Sequence, residues 1–128
     1  MKKPFLIFLI IIVVGILFWM FFLRDVNVTG KANLSWNPST ENNIAGYRIY
    51  YGTEKRSGDC PSTGGYAQKV DVGNHTSYQI NNLKDKTVYY FSVTSYNTSG
   101  KESCFSEEMK KSITVSIWEQ LKELFGKK

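Results

Sequence analysis

The stretch Ala45-Gly46-Tyr47-Arg48-Ile49-Tyr50-Tyr51-Gly52 decides the fold of this 128-residue chain. Strand side chains alternate with period two, so Tyr47, Ile49 and Tyr51 share one face. Gly46 and Gly52 bracket the run as turn punctuation. Its aromatic and β-branched residues are those a half-buried strand prefers. A second run, Thr87-Val88-Tyr89-Tyr90-Phe91-Ser92-Val93-Thr94-Ser95-Tyr96, alternates likewise and puts Tyr89, Phe91 and Val93 on one side. Two such runs predict neighbouring central strands of a sandwich.

The rest of the chain arranges itself around them. Residues 31–36 read as a strand with Ala32, Leu34 and Trp36 on one face, and Pro38 with the Asn and Ser residues of 37–43 ends it. Residues 54–65 form a loop rich in Gly, Ser and charge, long for a hairpin and therefore an insertion. Short strands at 68–72 and 77–80 flank a turn at 73–76. A corner at 81–86 carries Leu83 inward, and a last strand is expected from about 104 to 115. Six or seven short strands with turns at this spacing predict an all-β sandwich.

These residues resemble a known family. Leu34-Ser35-Trp36, Gly46-Tyr47-Arg48-Ile49-Tyr50-Tyr51-Gly52, Ser77-Tyr78-Gln79-Ile80 with Leu83, and Tyr89-Tyr90-Phe91-Ser92-Val93 are similar to the framework of a fibronectin type III domain. Asp71-Val72-Gly73-Asn74 and Ser99-Gly100-Lys101-Glu102-Ser103 resemble the version common in bacterial exported proteins. The resemblance covers about residues 26–115 and implies a seven-stranded (or six-stranded) β-sandwich. It implies Leu34, Trp36, Tyr47, Ile49, Leu83, Tyr89 and Phe91 as core, and it supplies no catalytic residues. The family is a reused spacer and binding scaffold, so the fold alone does not name a function. One departure stands out: the first strand is short or missing, with Val26 and Val28 its candidates.

Residues 4–23 are uncharged and nearly all apolar. As a helix they reach about 30 Å, the thickness of a bilayer hydrocarbon core. The run is longer than a signal-peptide core and ends Trp19-Met20-Phe21-Phe22-Leu23, too bulky for easy cleavage, so an uncleaved anchor is favoured over a signal peptide. Lys2 and Lys3 precede it, which predicts a cytoplasmic N-terminus and residues 24–128 periplasmic or extracellular. The expected domains are 1–23 (stub and transmembrane helix), 24–115 (sandwich) and 116–128 (tail).

The chain carries a net charge of +5, and setting Lys2 and Lys3 aside leaves 14 basic against 11 acidic residues spread along it. A nucleic-acid binder shows a basic stripe, so no nucleic acid is expected as a partner. Cys60 and Cys104 are the two cysteines, an even count in an exported domain. Pairing with each other is the leading expectation, with pairing between chains or free thiols as alternatives. The bond requires the 54–65 loop to fold back along the sheet. The cysteines and the sole histidine, His75, make no zinc site. His75 sits in ordinary turn chemistry, no phosphate loop appears, and neither an enzyme nor a cofactor is expected. Asn27, Asn33, Asn74 and Asn97 stand in glycosylation sequons, which matter only in a host that uses them.

Two surfaces remain as candidates. Tyr50 and Tyr90 point away from the predicted core on neighbouring strands. They form either an aromatic platform for a sugar or partner, or a cross-strand pair stabilising an exposed sheet face, the reading with more weight. In the tail, Ser116-Ile117-Trp118-Glu119 is a capping box. Ile117, Trp118, Leu121, Leu124 and Phe125 then share one apolar face, and Gly126 suits the C-terminal cap. So short an amphipathic helix needs a dock: its own sandwich, a protein partner or a bilayer surface. The expected function is a membrane-anchored, non-catalytic interaction or assembly module of a bacterial cell envelope, contacting another envelope protein through this helix. A pilin-like filament subunit and an accessory carbohydrate-binding module are the alternatives.

Overall fold

The computed structural model describes residues 3–22 and 28–126, with side chains described at 9–20, 28–122, 125 and 126. Helix α1 (Lys3–Phe22) comes first. Six strands follow: β1 (Thr29–Ser35), β2 (Ile44–Gly52), β3 (Gln68–Gly73), β4 (Ser77–Lys84), β5 (Thr87–Asn97) and β6 (Met109–Ile113). Helix α2 (Ile117–Phe125) ends the described chain. The strands form two sheets, β1-β4 and β3-β2-β5-β6, antiparallel throughout.

The two runs that predict central strands are β2 and β5, paired with Ile49 opposite Val93 and Tyr51 opposite Phe91. Their inward residues meet the β1-β4 sheet in a core of Ala32, Tyr47, Ile49, Val72, Ile80, Leu83, Phe91 and Ile113. Leu34, Trp36 and Tyr89 pack against it, half-buried. Each large apolar side chain removed from water here stabilises the fold by about 1.5–3 kcal/mol. Trp36 meets Tyr47 edge-on at 5.8 Å, and Tyr51 stacks on Phe91 at 5.9 Å. Two tyrosine hydroxyls find backbone partners, the Tyr47 hydroxyl accepting from Ser39 N at 2.9 Å and the Tyr89 hydroxyl from Lys84 N at 3.1 Å, whereas the buried Trp36 Nε1 has none among the described residues. The Tyr89 bond is the tyrosine corner of immunoglobulin-like sandwiches.

The six-stranded form of the sandwich is the one found, and two expectations about strands change. No seventh strand appears among the described residues; Val26 lies outside them, and Val28 accepts a hydrogen bond from Asp85 N but belongs to no strand. The expected corner at 81–86 is mostly strand, because β4 absorbs a bulge at Asn81 and Asn82, where Asn82 takes φ 58°. The bulge lets Ile80 and Leu83, three positions apart, both face inward. The last strand is shorter than 104–115 because side chains replace part of its ladder. Ser106 Oγ accepts from Val93 N at 2.9 Å and Ser103 Oγ from Ser95 N at 3.0 Å. Segment 103–108 therefore runs beside β5 without being regular strand.

The membrane arrangement is corrected. Among the described residues no helix is long and apolar enough to cross a membrane. The single-pass placement, with residues 24–128 on the far side, does not stand on that finding.

Candidate functional site

The outward face of β2 and β5 is covered, not open. After β2 the insertion folds back over it, and the segment between β5 and β6 meets the insertion there. A Cys60–Cys104 disulfide joins the two, and Phe105 N donates to Asp59 O at 2.9 Å beside it. The Phe105 ring is the centre of the cover. It stands edge-on to Tyr50 at 5.0 Å and to Tyr66 at 5.6 Å, with the Arg56 guanidinium 5.5 Å from its centroid. Tyr50 is consequently only 8% exposed. The candidate platform of Tyr50 and Tyr90 is corrected: Tyr50 lies beneath Phe105, and Tyr90 is half-buried. Among the described residues no adjoining pair of exposed rings is found on that face.

Two charge networks tie the cover down. In the first, Glu102 accepts from Arg48 at 2.7 Å, Tyr50 at 2.8 Å and Thr94 at 2.6 Å. Arg48 also pairs with Asp71 at 3.2 Å and lies 4.3 Å over the Tyr96 ring. Burial opposes ionisation of Glu102, but the hydrogen bonds from Thr94, Tyr50 and Arg48 and the guanidinium charge outweigh it and hold the carboxyl low. Burial and the adjacent carboxylate push the Tyr50 phenol up to about 12. In the second network, Glu108 accepts from Tyr66 at 2.7 Å and from the Arg56 amide at 3.1 Å. Arg56 reaches on to the Ser106 carbonyl at 2.7 Å. Tyr66 is likewise pushed up to about 12, by partial burial and the Glu108 carboxylate against an opposing hydrogen bond with Ser92. Glu102 is paired with Arg48, and Glu108 is held by the Tyr66 hydroxyl and the Arg56 amide, so the arrangement holds a loop in place.

The tail is different. Ser116 caps α2, its hydroxyl accepting from Glu119 N at 3.3 Å. The Glu119 carboxylate pairs with Lys122 at 3.0 Å, not with the Ser116 amide that a full capping box would use. Gly126 closes the helix with φ −90°, its N–H on the Lys122 carbonyl at 2.7 Å, so no left-handed cap forms. Gln120 reaches the Val115 carbonyl at 3.3 Å, and Leu121 is half-buried. Ile117, Trp118 and Phe125 are 72%, 75% and 79% exposed. The sandwich therefore covers only part of the apolar face, and the Leu124 side chain lies outside the described residues. His75 sits exposed in the turn before β4. No group of metal-ligating side chains is found among the described residues.

The sequence reading missed Arg48, Arg56, Tyr66, Glu102 and Phe105. The signal for Phe105 was its place next to Cys104: whatever the disulfide brings down on the sheet brings that ring with it.

The family model for the fibronectin type III domain matches residues 21–112. A Kelch domain-containing protein of Saccharolobus solfataricus is 37% identical over 73 residues, 57% of this chain and 9% of that protein. Neogenin of Rattus norvegicus is 38% identical over 79 residues, 59% of this chain and 5% of neogenin. The chain thus spans a small fraction of the curated relatives it matches. Among solved structures, the chicken CNTN1 FN1-FN3 domains superpose with a TM-score of 0.52 at 27% identity, over 66% of this chain and 26% of that one. Matched over most of its length, this chain belongs to the fibronectin type III family.

Proposed function

We propose that the chain is a non-catalytic assembly module that contacts its partner through α2. Fibronectin type III domains are typically non-catalytic binding modules, and a general protein-interaction role follows from the family. The observation that carries the finer reading is the exposure of Ile117, Trp118 and Phe125. The domain covers the aromatic face of its own central strands with a disulfide-held loop, yet leaves these three large apolar side chains in water. Aromatic anchors of this kind dominate contact energies once a partner desolvates them. The Cys60–Cys104 bond supports work in a compartment where disulfides persist.

The test compares the full chain with a version ending at Ser116, each purified from its native source. Co-purifying proteins and apparent mass are read for both. Loss of partners or of oligomers with the tail supports the reading. Identical partners in both forms, or none in either, would remove α2 as the contact.

A further inference from the structure

Two strand edges lie open side by side. Among the described residues β1 pairs only with β4, and β6 only with β5. They approach closely at Gly30, where an added Cβ would meet the Ile113 side chain at 2.5 Å and that of Val115 at 3.2 Å. A cleft of about 780 Å³ opens along them, lined among others by Gly30, Lys31, Lys111, Ile113, Val115 and Glu119. An open edge presents backbone N–H and C=O groups that can pair with a further strand. We infer that this β1–β6 edge is a strand-addition site for an extended segment of a partner protein in which acidic and apolar residues alternate.

Charge selects that occupant. Glu119 is paired with Lys122 at 3.0 Å, and Asp85 accepts from the Val115 amide at 2.7 Å. Lys31 and Lys111 are exposed, and among the described residues neither has a carboxylate within ion-pair distance. A second copy of this chain would bring its own lysines to the same edge, and like charges opposed across strands destabilise the pairing. The lysines therefore disfavour self-association and favour an acidic strand. Period two completes the match: alternate residues of an added strand face the interior beside Gly30, Ile113 and Val115, while the others face Lys31 and Lys111. The inference rests on the interaction-module reading and deepens it, since Ser116 and Glu119 at the start of α2 line the same cleft.

The test uses the full chain and a capped ten-residue peptide of alternating valine and glutamate, beside a valine–lysine counterpart. Two further valine–glutamate peptides are N-methylated at every second residue, one in each register. Fluorescence anisotropy gives affinity, and amide hydrogen exchange locates the contact. Saturable binding of the glutamate peptide is expected, at least tenfold tighter than the lysine peptide, with protection gained in β1 at Lys31 and Asn33. One N-methyl register should abolish binding and the other leave it. The double variant Lys31→Glu, Lys111→Glu should invert the charge preference, and a chain ending at Ser116 should still bind. No binding, equal affinity for the two peptides, or protection confined to α2 would overturn strand addition. If the peptide fails while partner capture still depends on the tail, this inference falls and the α2 contact stands.

Discussion

The Tyr50 phenol donates to Glu102 Oε1 at 2.8 Å, joining the outward face of the central strand to the segment that crosses it. The same carboxylate holds Arg48 of β2 and Thr94 of β5, so one side chain ties two strands to the cover. Hydrogen bonds to a charged group contribute about 1.5–3 kcal/mol each, and deleting one partner leaves the others poorly satisfied. Glu102→Ala should therefore cost about 2–3 kcal/mol in chemical denaturation, and Glu102→Gln less, because the amide still accepts. Equal losses for the two variants would show that the charge carries the whole contribution.

Acid should loosen the same cover. Glu102 and Glu108 are held low despite burial, by hydrogen bonds from Thr94, Tyr50 and Arg48 to the first and from Tyr66 and the Arg56 amide to the second. Asp71 is held low by the Gly73 amide against some burial, with help from Tyr96 and Arg48. Folded values below the unfolded ones mean stability that is present above the ordinary carboxylate range and lost as pH falls through it and beyond. Denaturation midpoints should be flat near neutrality and decline below about pH 5. Glu102→Gln should flatten that decline. An unchanged acid slope in the variant would remove Glu102 as a source.

The sandwich was legible because its strands declare themselves locally. Tyr47, Ile49, Leu83 and Phe91 alternate or space themselves in a way that only an inward face explains, and each is buried. The cover over Tyr50 was not legible, for a physical reason. It is made by residues 53–67 and 102–108, which have no period, and its register is set by a bond between positions 44 apart. Alternation alone assigned Tyr50 to solvent. Burial on that face is decided by a loop, and loops carry no periodic signal. The same limit applied to the last strand, where serine hydroxyls replace ladder carbonyls.

Removing the disulfide should release the cover and spare the sheets. A closed loop of this length stabilises the folded chain by about 4 kcal/mol in the chain-entropy treatment. The double variant Cys60→Ser, Cys104→Ser should lose that order of stability. Amide exchange should accelerate in residues 53–67 and 102–106 before it does in β2 or β5. Exchange that accelerates equally everywhere would mean the cover and the sheets open as one cooperative unit.

Trp118 separates a tail that belongs to the domain from one that serves a partner. It is 75% exposed at the first turn of α2, and its neighbour Ile117 is 72% exposed. Little folded-state contact is lost when such a side chain is cut back, and surface substitutions of this kind stay within about 0.5 kcal/mol. Trp118→Ser should leave the denaturation midpoint of the isolated chain unchanged. Partner capture should fall sharply, because an aromatic anchor contributes to binding only once a partner desolvates it. A stability loss above about 1 kcal/mol would instead place the indole against the sandwich in solution. The apolar face of α2 would then be a piece of the domain's own packing, and the contact with a partner would have to be sought at the β1–β6 edge.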